Sequence, residues 1–281
     1  RGRALPAREV GIADGWYVNP QRMRRGAMLG KWTYPVGERG ELRAAATFFS
    51  GRWADSGVIS EREVTDGLLG RFSTPDPTQG GTAMRASASL GVTTPEWHLG
   101  GYVIRSAHRF YDNPSVFFRD DSAGDQVERV DDRSSYGLDG WYRRGALRIG
   151  VQARADDGRA ELWHDERRRW VADCFEVANP CTQTSAHVRD VAAYAEWRGT
   201  FGRVTVAPGL RLDQMTWDSE DLDPETATGR DPLTATAARA RTSPKLGATL
   251  AASPHVDVVA LGGGGFRSSD TRATATSGGV V

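Results

Sequence analysis

The sequence Ser243-Pro244-Lys245-Leu246-Gly247 is followed by the short segment Ala252-Ser253-Pro254-His255, then by Val256–Leu261, and then by Gly262-Gly263-Gly264-Gly265-Phe266-Arg267-Ser268-Ser269-Asp270. Serine and proline at 253–254 indicate a tight turn, and the valine-rich run after them is typical of a β-strand. This stretch therefore predicts two strands around a tight turn, followed by an exposed loop.

The same alternation of apolar and polar residues recurs through the chain. In residues 84–92, Met84 and Leu90 share one face with Ala86, Ala88 and Val92, while Arg85 lies on the other. A period of two residues predicts a strand with one apolar and one wet face. The segments with this pattern are 28–34, 42–48, 84–92, 97–104, 135–142, 147–155, 191–198 and 204–213. Together with the opening hairpin they predict about ten antiparallel strands.

Short and long connections alternate between these strands. Short turns are predicted near Pro35, Thr93, Arg144, Gly199 and Ala252, and long polar connections over 52–81, 109–133, 157–187 and 217–241. Residues 1–25 are polar and irregular and predict a loop, and no segment has a convincing helical period. The chain is thus expected to form an up-and-down meander, with its short turns at one end and its long loops at the other.

Three features favour a membrane environment over a soluble sandwich. The strands are about ten residues long, the length that a tilted strand needs to cross a bilayer. Trp97, Tyr142 and Trp197 lie on apolar faces near the short turns, as in an aromatic girdle. The wet faces carry charges that would line a polar lumen, namely Arg85, Arg148, Arg154, Glu196, Arg198, Arg211 and Asp213. We therefore predict an all-β fold, a segment of an antiparallel up-and-down transmembrane β-barrel.

The composition excludes some functions and is neutral about others. The 36 basic and 36 acidic residues among 281 give zero net charge, which argues against a nucleic-acid-binding protein. Mean hydropathy is −0.50, which fits a barrel because only alternate residues would face lipid. Cys174 and Cys181 lie close together without histidines at zinc-site spacing. A local disulfide fits them better, and it indicates an oxidising compartment.

Several of these stretches resemble one known family. The pair Ala193-Tyr194-Ala195-Glu196 and Pro208–Asp213, and the pair Ser243-Pro244-Lys245 and Gly265-Phe266-Arg267-Ser268, resemble recurrent hairpins of TonB-dependent outer-membrane receptors. The first two long connections contain further similar residues, such as Ser56-Gly57 and Gly124-Asp125-Gln126. The resemblance implies a barrel of about 22 strands around an N-terminal plug. Residues 1–281 would then be the central part of one barrel domain, without the plug, the TonB box or the remaining strands.

The resemblance also implies a function, a location and partners. The whole protein would take up a scarce nutrient, such as siderophore-bound iron, across the outer membrane of a Gram-negative bacterium. Its partners would be the nutrient, its own plug, TonB through that plug, and outer-membrane lipid with lipopolysaccharide. This segment would supply barrel wall, short periplasmic turns and extracellular recognition loops. A passive porin-type channel is the alternative, and a soluble β-rich surface or carbohydrate-binding protein is a third hypothesis.

Candidate ligand-binding residues come from the loops. The third long connection combines aromatic and basic side chains and could contact an anionic chelate, although a basic surface facing lipopolysaccharide explains them equally well. The candidates are Trp163, His164, Arg167 and Trp170 in that connection and Phe266, Arg267 and Asp270 at the outer end of the last strand.

Enzyme chemistry and bound cofactors are not expected. The glycines 262–265 precede no Gly-Lys-Ser/Thr, the five histidines form no metal-binding pair, and no Gly-x-Ser-x-Gly is present. Acidic clusters at 120–125 and 218–225 could hold Ca²⁺ through oxygen ligands, but solvated loops are the simpler explanation. We therefore predict neither a catalytic residue, nor a metal site, nor a cofactor.

Overall fold

The computed structural model describes residues 2–113, 115, 118–120, 124–174, 177–222 and 234–266. Nearly all of the regular structure is β-strand. The strands are β1 Arg3–Ala13, β2 Met23–Val36, β3 Gly40–Ala54, β4 Gly80–Thr93, β5 Trp97–Asp112, β6 Val127–Arg144, β7 Leu147–Glu166, β8 Arg169–Trp170, β9 Asp173–Cys174, β10 Val177–Ala178, β11 Thr182–Trp197, β12 Gly199–Phe201, β13 Val204–Asp221, β14 Ala235–Ser253 and β15 Val256–Gly263. A helix, α1, covers Glu61–Thr65. None of the helices among the described residues has the length and apolar character needed to span a membrane.

The long strands form one antiparallel sheet in which each pairs with the next along the chain. The order is β1-β2-β3-β4-β5-β6-β7-β11-β13-β14-β15, with β8 beside β7 and β12 beside β13. Strands β9 and β10 form a separate two-stranded ladder. Within the described residues, β1 and β15 each have one neighbouring strand, so the sheet has two edges. The predicted all-β, up-and-down architecture is confirmed.

Two expectations about secondary structure were wrong. Residues 1–25 were expected to form a loop, but β1 pairs with β2 from Arg3↔Thr33 to Ala13↔Met23. Its sequence shows little alternation and contains Pro6, which is tolerated because β1 is an edge strand. The one-turn helix α1 was also missed, because five residues are too few to display a helical period.

The long connections are shorter than expected because the strands extend past their alternating segments. Strand β7 has 20 residues and β13 has 18, against the expected ten or so. Strand β14 begins at Ala235, inside the connection predicted for 217–241. In these extensions polar and charged residues occur on both faces, and apolar residues such as Met215 and Trp217 are too few to give a clear period of two. Backbone pairing with the neighbouring strand continues regardless of side-chain polarity.

The register divides the sheet into two chemically different faces. Direct cross-strand partners share a face, so rows such as Ala46↔Ala88↔Val103↔Tyr136↔Ala155 can be followed across it. We call the face that contains this row the apolar face. Large apolar side chains on it are solvent-accessible, including Leu90 at 57%, Leu138 at 65% and Val151 at 61% exposed. An exposed apolar band of this extent is expected for a surface that contacts lipid rather than water.

The opposite side, which we call the polar face, carries the predicted charges. Arg85, Arg148, Arg154, Glu196, Arg211 and Asp213 all lie on it. Glycine allows aromatic rings to lie flat here: a Cβ at Gly137 would overlap the ring of Tyr102, and one at Gly150 would overlap Tyr194. Each tyrosine thus covers the glycine opposite it, and this close fit helps to hold the register.

Aromatic side chains border the apolar face beside the short turns. Trp97 is directly opposite Tyr142, and they are 41% and 51% exposed. Trp197 is 38% exposed and its ring centroid lies 6.0 Å from that of Phe201. Trp32 stacks on Tyr34 at 5.6 Å. This arrangement matches the aromatic row predicted at the short-turn end.

Little of the described apolar surface is buried in a core. The buried cluster consists of Met215, Trp217 and Ala237, with Val188 packed against it. These residues lie on the polar face of β11, β13 and β14, toward the long-connection end. Most other large apolar side chains are exposed, so the stability of this sheet depends on what covers its apolar face.

Candidate functional site

A network of charges occupies the polar face of β7, β11 and β13. Arg154 pairs with Asp156 at 2.6 Å, and Arg211 pairs with Asp213 at 2.8 Å. Asp190 of β11 lies opposite Arg154 in the register, and Arg211 also donates to Gln152, two strands away. Because all these groups project from paired strands, they form a fixed array of donors and acceptors. Such a surface can hydrate a passage or contact a charged partner.

A second polar group lies near the short turns. His98 Nε2 is 3.0 Å from Asp139 Oδ2, and its Nδ1 is 2.7 Å from Thr93 Oγ1. The guanidinium of Arg148 lies 4.5 Å from the Trp141 ring centroid. Charged groups therefore continue along the polar face to its short-turn end.

The first two long connections are joined through buried amides. Asp76 accepts hydrogen bonds from Asn113 Nδ2 and from Gln126 Nε2, both at 2.8 Å. Gln79 Oε1 accepts from the backbone N–H of Asn113 at 3.0 Å. Gln79 and Gln126 are each 1% exposed. Hydrogen bonds between buried side chains give a specific geometry, so these two connections form one unit.

Arg168 fastens the third connection to that unit. Its backbone N–H donates to Gln126 Oε1 at 2.8 Å, and its guanidinium donates to the backbone oxygens of Thr78 and Gln79 at 2.5 and 3.1 Å. The same guanidinium lies 4.8 Å from the Tyr111 ring centroid. Arg168 has φ of +65°, a left-handed conformation that costs a non-glycine residue about 1 kcal/mol or more. The three polar contacts compensate for this strain.

His164 makes the second link between these connections. It is 1% exposed, with Nδ1 2.8 Å from the Asp173 carbonyl oxygen and Nε2 2.6 Å from the Gly124 carbonyl oxygen. The two carbonyl oxygens hold the ring of His164 between the second and third connections.

Asp165, the next residue, is buried and has no hydrogen-bond partner among the described residues. It is 0% exposed, and both of its carboxylate oxygens are unpaired within that part of the chain. Burial, together with the negative charge of Glu128, raises the pKa of Asp165 to about 7, although His164 and Arg109 oppose this. Glu128 itself is well paired, with Arg109 Nε at 2.8 Å and Trp170 Nε1 at 2.6 Å. The three long connections that Arg168 and His164 link, which we call the loop cluster, thus include a carboxyl group whose ionisation is costly.

We predict that Asp165→Asn flattens the pH dependence of this loop cluster. The pKa of Asp165 is 3.8 in the unfolded chain and about 7 in the folded protein. The protonated carboxyl group therefore contributes its full stabilisation of the folded cluster below about pH 4. That contribution is lost as pH rises from about 4 to about 7, and amounts to up to about 4 kcal/mol. Hydrogen exchange of residues 164–181 in the full-length protein, corrected for intrinsic rates, should show less protection at pH 8 than at pH 5.5.

Asp165→Asn should remove most of this difference between the two pH values. Asp66→Asn is the matched control, because Asp66 in the first connection is exposed and pairs loosely with Arg62 at 3.6 Å. It should leave the difference unchanged. Equal pH dependence in the wild-type protein and in Asp165→Asn would contradict the assignment.

Asp125 stabilises the second connection, and its pKa is shifted in the opposite direction from that of Asp165. Its carboxylate accepts hydrogen bonds from the backbone N–H groups of Phe118, Arg119 and Asp120 at 2.8–3.0 Å. Burial raises the pKa of Asp125, but these bonds, together with one from Ser115, outweigh that effect and lower it overall. Asp125 therefore holds its loop as a carboxylate, and its oxygens are occupied by the protein's own amides.

Comparison with solved structures identifies the fold. The unliganded ferric citrate transporter FecA matches with a TM-score of 0.70 at 12% identity, over 93% of this chain and 39% of that one. The ferric yersiniabactin uptake receptor FyuA from Yersinia pestis matches with a TM-score of 0.58 at 13% identity, over 90% and 40%. The siderophore receptor PiuA from Acinetobacter baumannii matches with a TM-score of 0.57 at 10% identity, over 90% and 43%.

The fold is that of a TonB-dependent receptor barrel. The chain spans about two fifths of the length of these solved structures. No protein-family model matches the sequence, and no curated protein does. At 10–13% identity the likeness lies in the arrangement of strands rather than in particular residues.

In this receptor-barrel fold, the candidate ligand residues do not form one site. Trp163 stacks on Trp170 at 4.2 Å, and Trp163 is opposite Glu128, in a row that continues the apolar face. His164 lies on the other side of the same strand and is buried. Arg167 is exposed with φ of +52°. Phe266 is 42% exposed just after β15, whereas Arg267 and Asp270 lie outside the described residues.

The predicted disulfide forms in the structure. Cys174 and Cys181 are bonded with their Cα atoms 5.2 Å apart, and they are 6% and 7% exposed. The Cys181 backbone N–H donates to the Leu162 carbonyl at 2.8 Å, which ties the bridge to β7. The disulfide therefore lies next to the His164 link, and both restrain the third connection.

Sequence reasoning did not identify the residues that fasten the loop cluster as buried or as contacts between connections. Asp76, Gln79 and Gln126 are polar residues in polar connections, and nothing in their spacing marks them as buried. The sequence does show several amide and carboxylate side chains close to the predicted strand ends. It does not indicate which of these side chains contact each other.

Proposed function

We propose that this chain is part of the barrel of a TonB-dependent outer-membrane receptor that imports a scarce nutrient such as siderophore-bound iron. The observation that carries the proposal is the receptor-barrel fold, with a TM-score of 0.70 to the ferric citrate transporter FecA. The exposed apolar face suits contact with lipid, and the charged polar face suits a lumen. The chain would contribute wall and outer loops to one barrel domain, and the plug and remaining strands would belong to the same longer protein.

The proposal places the chain in the outer membrane of a Gram-negative bacterium. Its neighbours there would be lipid and lipopolysaccharide on the apolar face, and the plug against the polar face. TonB would act through the plug, and neither catalysis nor nucleic-acid binding is part of the proposal. The short turns would face the periplasm, and the fastened loop cluster would face the nutrient outside the cell.

Among the proposed ligand contacts, exposure favours Arg167, Trp170 and Phe266. All three have exposed side chains in the described structure. His164 is proposed to act instead through the loops it links, because its ring nitrogens already contact two carbonyl oxygens. A small anionic chelate would then meet a loop surface that is already ordered, which lowers the entropy cost of binding.

We predict energy-dependent uptake by cells that produce the full-length protein. Cells lacking their own ferric-chelate receptors should accumulate radioactive iron from one of a set of ferric hydroxamate, catecholate and carboxylate chelates. Accumulation should fall to the background of receptor-free cells when the tonB gene is deleted or a protonophore is added. A passive porin-type channel would instead admit the chelate equally well in the deletion strain, and that result would reject the proposal.

A further inference from the structure

Two arginines face each other on the apolar face without an acidic partner. Arg24 of β2 and Arg52 of β3 are direct cross-strand partners, and both are exposed. Neither guanidinium group forms an ion pair or a hydrogen bond with any residue that the structure describes. By contrast, Arg25, on the opposite face, pairs with Glu9. Like charges directly opposite each other destabilise a sheet, so this pair indicates a place for an anion.

The position of the pair along the strands matches the headgroup layer of a bilayer. On the apolar face, the rows run from Met28↔Phe48, through Gly26↔Ser50, to Arg24↔Arg52. Met28 and Phe48 are 65% and 45% exposed and end the apolar band on these strands. Arg24 lies four residues from Met28 along β2. This separation corresponds to about 13 Å along the strand, or about 9 Å along the membrane normal at a tilt of about 45°. The guanidinium groups would then lie at the depth of lipid headgroups.

The surroundings of the arginine pair are amphipathic. A groove of about 510 Å³ opens here, and its lining includes Val10, Ile12, Arg24, Ser50, Arg52 and Met84. Val10 and Ile12 are 76% and 73% exposed. A free inorganic anion would gain nothing from these apolar side chains. A lipid would place its phosphate between the guanidinium groups and its apolar part against the aliphatic side chains.

We propose that Arg24 and Arg52 form a binding site for the phosphate of a phosphorylated glycolipid in the outer leaflet. Planar guanidinium groups bind phosphate oxygens in a bidentate manner, and two of them on adjacent strands can grip one phosphate from both sides. The proposal rests on the outer-membrane placement proposed above, and it adds a specific headgroup contact that selects for phosphate. The site also relieves the repulsion between the two arginines.

The test measures lipid binding by the full-length protein purified in detergent. The probes are bis-phosphorylated lipid A, the same lipid after enzymatic dephosphorylation, and inorganic phosphate, with bound lipid counted by native mass spectrometry. The double variant Arg24→Gln/Arg52→Gln should bind the phosphorylated lipid roughly tenfold more weakly than the wild type. The control Arg62→Gln/Arg85→Gln also removes two exposed arginines, one in α1 and one on the polar face. It should bind like the wild type.

Three results would overturn the site. They are unchanged binding in Arg24→Gln/Arg52→Gln, equal binding of the dephosphorylated lipid by the wild type, or displacement of the lipid by millimolar inorganic phosphate. Folding of both variants is checked by the heat-dependent mobility of the barrel in gels. The assay does not depend on transport. A passive channel would still show the lipid site, and an active receptor without the site would still import its nutrient.

Discussion

Ala88→Arg is expected to lower the free energy of unfolding in lipid vesicles by about 2–4 kcal/mol, the cost of an arginine near the bilayer midplane on a lipid-facing barrel position. Ala88 is in the middle of the apolar face of β4, between Ala46 and Val103 of the adjacent strands. The measurement is denaturant-induced unfolding of the full-length protein reconstituted in lipid. The added guanidinium would have to leave water, and no acidic partner lies in its row.

The adjacent residue provides a matched control. Ser89 is also small and exposed, but it lies on the polar face beside Ala45 and Tyr102. Ser89→Arg should change the free energy of unfolding by about 0.5 kcal/mol or less. Equal losses for the two variants would mean that the apolar face does not contact lipid. A soluble protein would tolerate both substitutions alike.

Trp217→Ala is expected to lower the free energy of unfolding by about 3–5 kcal/mol, the usual cost of deleting a buried tryptophan. Trp217 is 4% exposed, is opposite Val188 and Ala237 in the register, and lies in the buried cluster with Met215. This decrease combines the loss of apolar contacts with the cost of the cavity left behind. The free energy of unfolding is measured by far-UV circular dichroism during denaturant unfolding of the full-length protein, a method that does not use tryptophan fluorescence.

Trp197→Ala is the control for this prediction. Trp197 is 38% exposed on the apolar face near a short turn, with Phe201 as its aromatic neighbour. Trp197→Ala should lower the free energy of unfolding by about 1–2 kcal/mol. The effect is smaller because Trp197 has less buried surface to lose and its removal leaves no closed cavity. If Trp197→Ala were the more damaging change, the buried cluster would not be the main apolar support of the long-connection end.

Periodicity made the strands of the central sheet predictable. In residues 84–92 and 147–155 the alternation assigns each side chain to a face, and the structure places them accordingly. The short turns were equally clear, since glycine and proline interrupt the pattern at each of them. Strand β1 and the outer halves of β7 and β13 were missed, because apolar and polar side chains there do not alternate clearly. Backbone hydrogen bonds form there without leaving a sequence signal.

Only individual features of the candidate site were predictable from the sequence, and their arrangement was not. The Cys174–Cys181 bond was predicted from two nearby cysteines without histidines at zinc-site spacing, and Trp163 and His164 were noticed as aromatic and basic residues in the same connection. Adjacent residues on a strand point to opposite faces, so Trp163 contributes to one surface and His164 to the other. Whether a loop residue is exposed or buried depends on the neighbouring loops, whose paths the sequence does not reveal.

By itself the sequence determined a meander of long strands with one apolar and one charged face, because a period of two residues directly records which side each residue occupies. Only the tertiary structure decided that the hairpin 243–263 belongs to the last two of eleven sequentially paired strands in the described part of the chain, and that three long connections are fastened together. It also placed Arg24 opposite Arg52. Those contacts join residues far apart in the chain, and they depend on register and loop path rather than on local pattern.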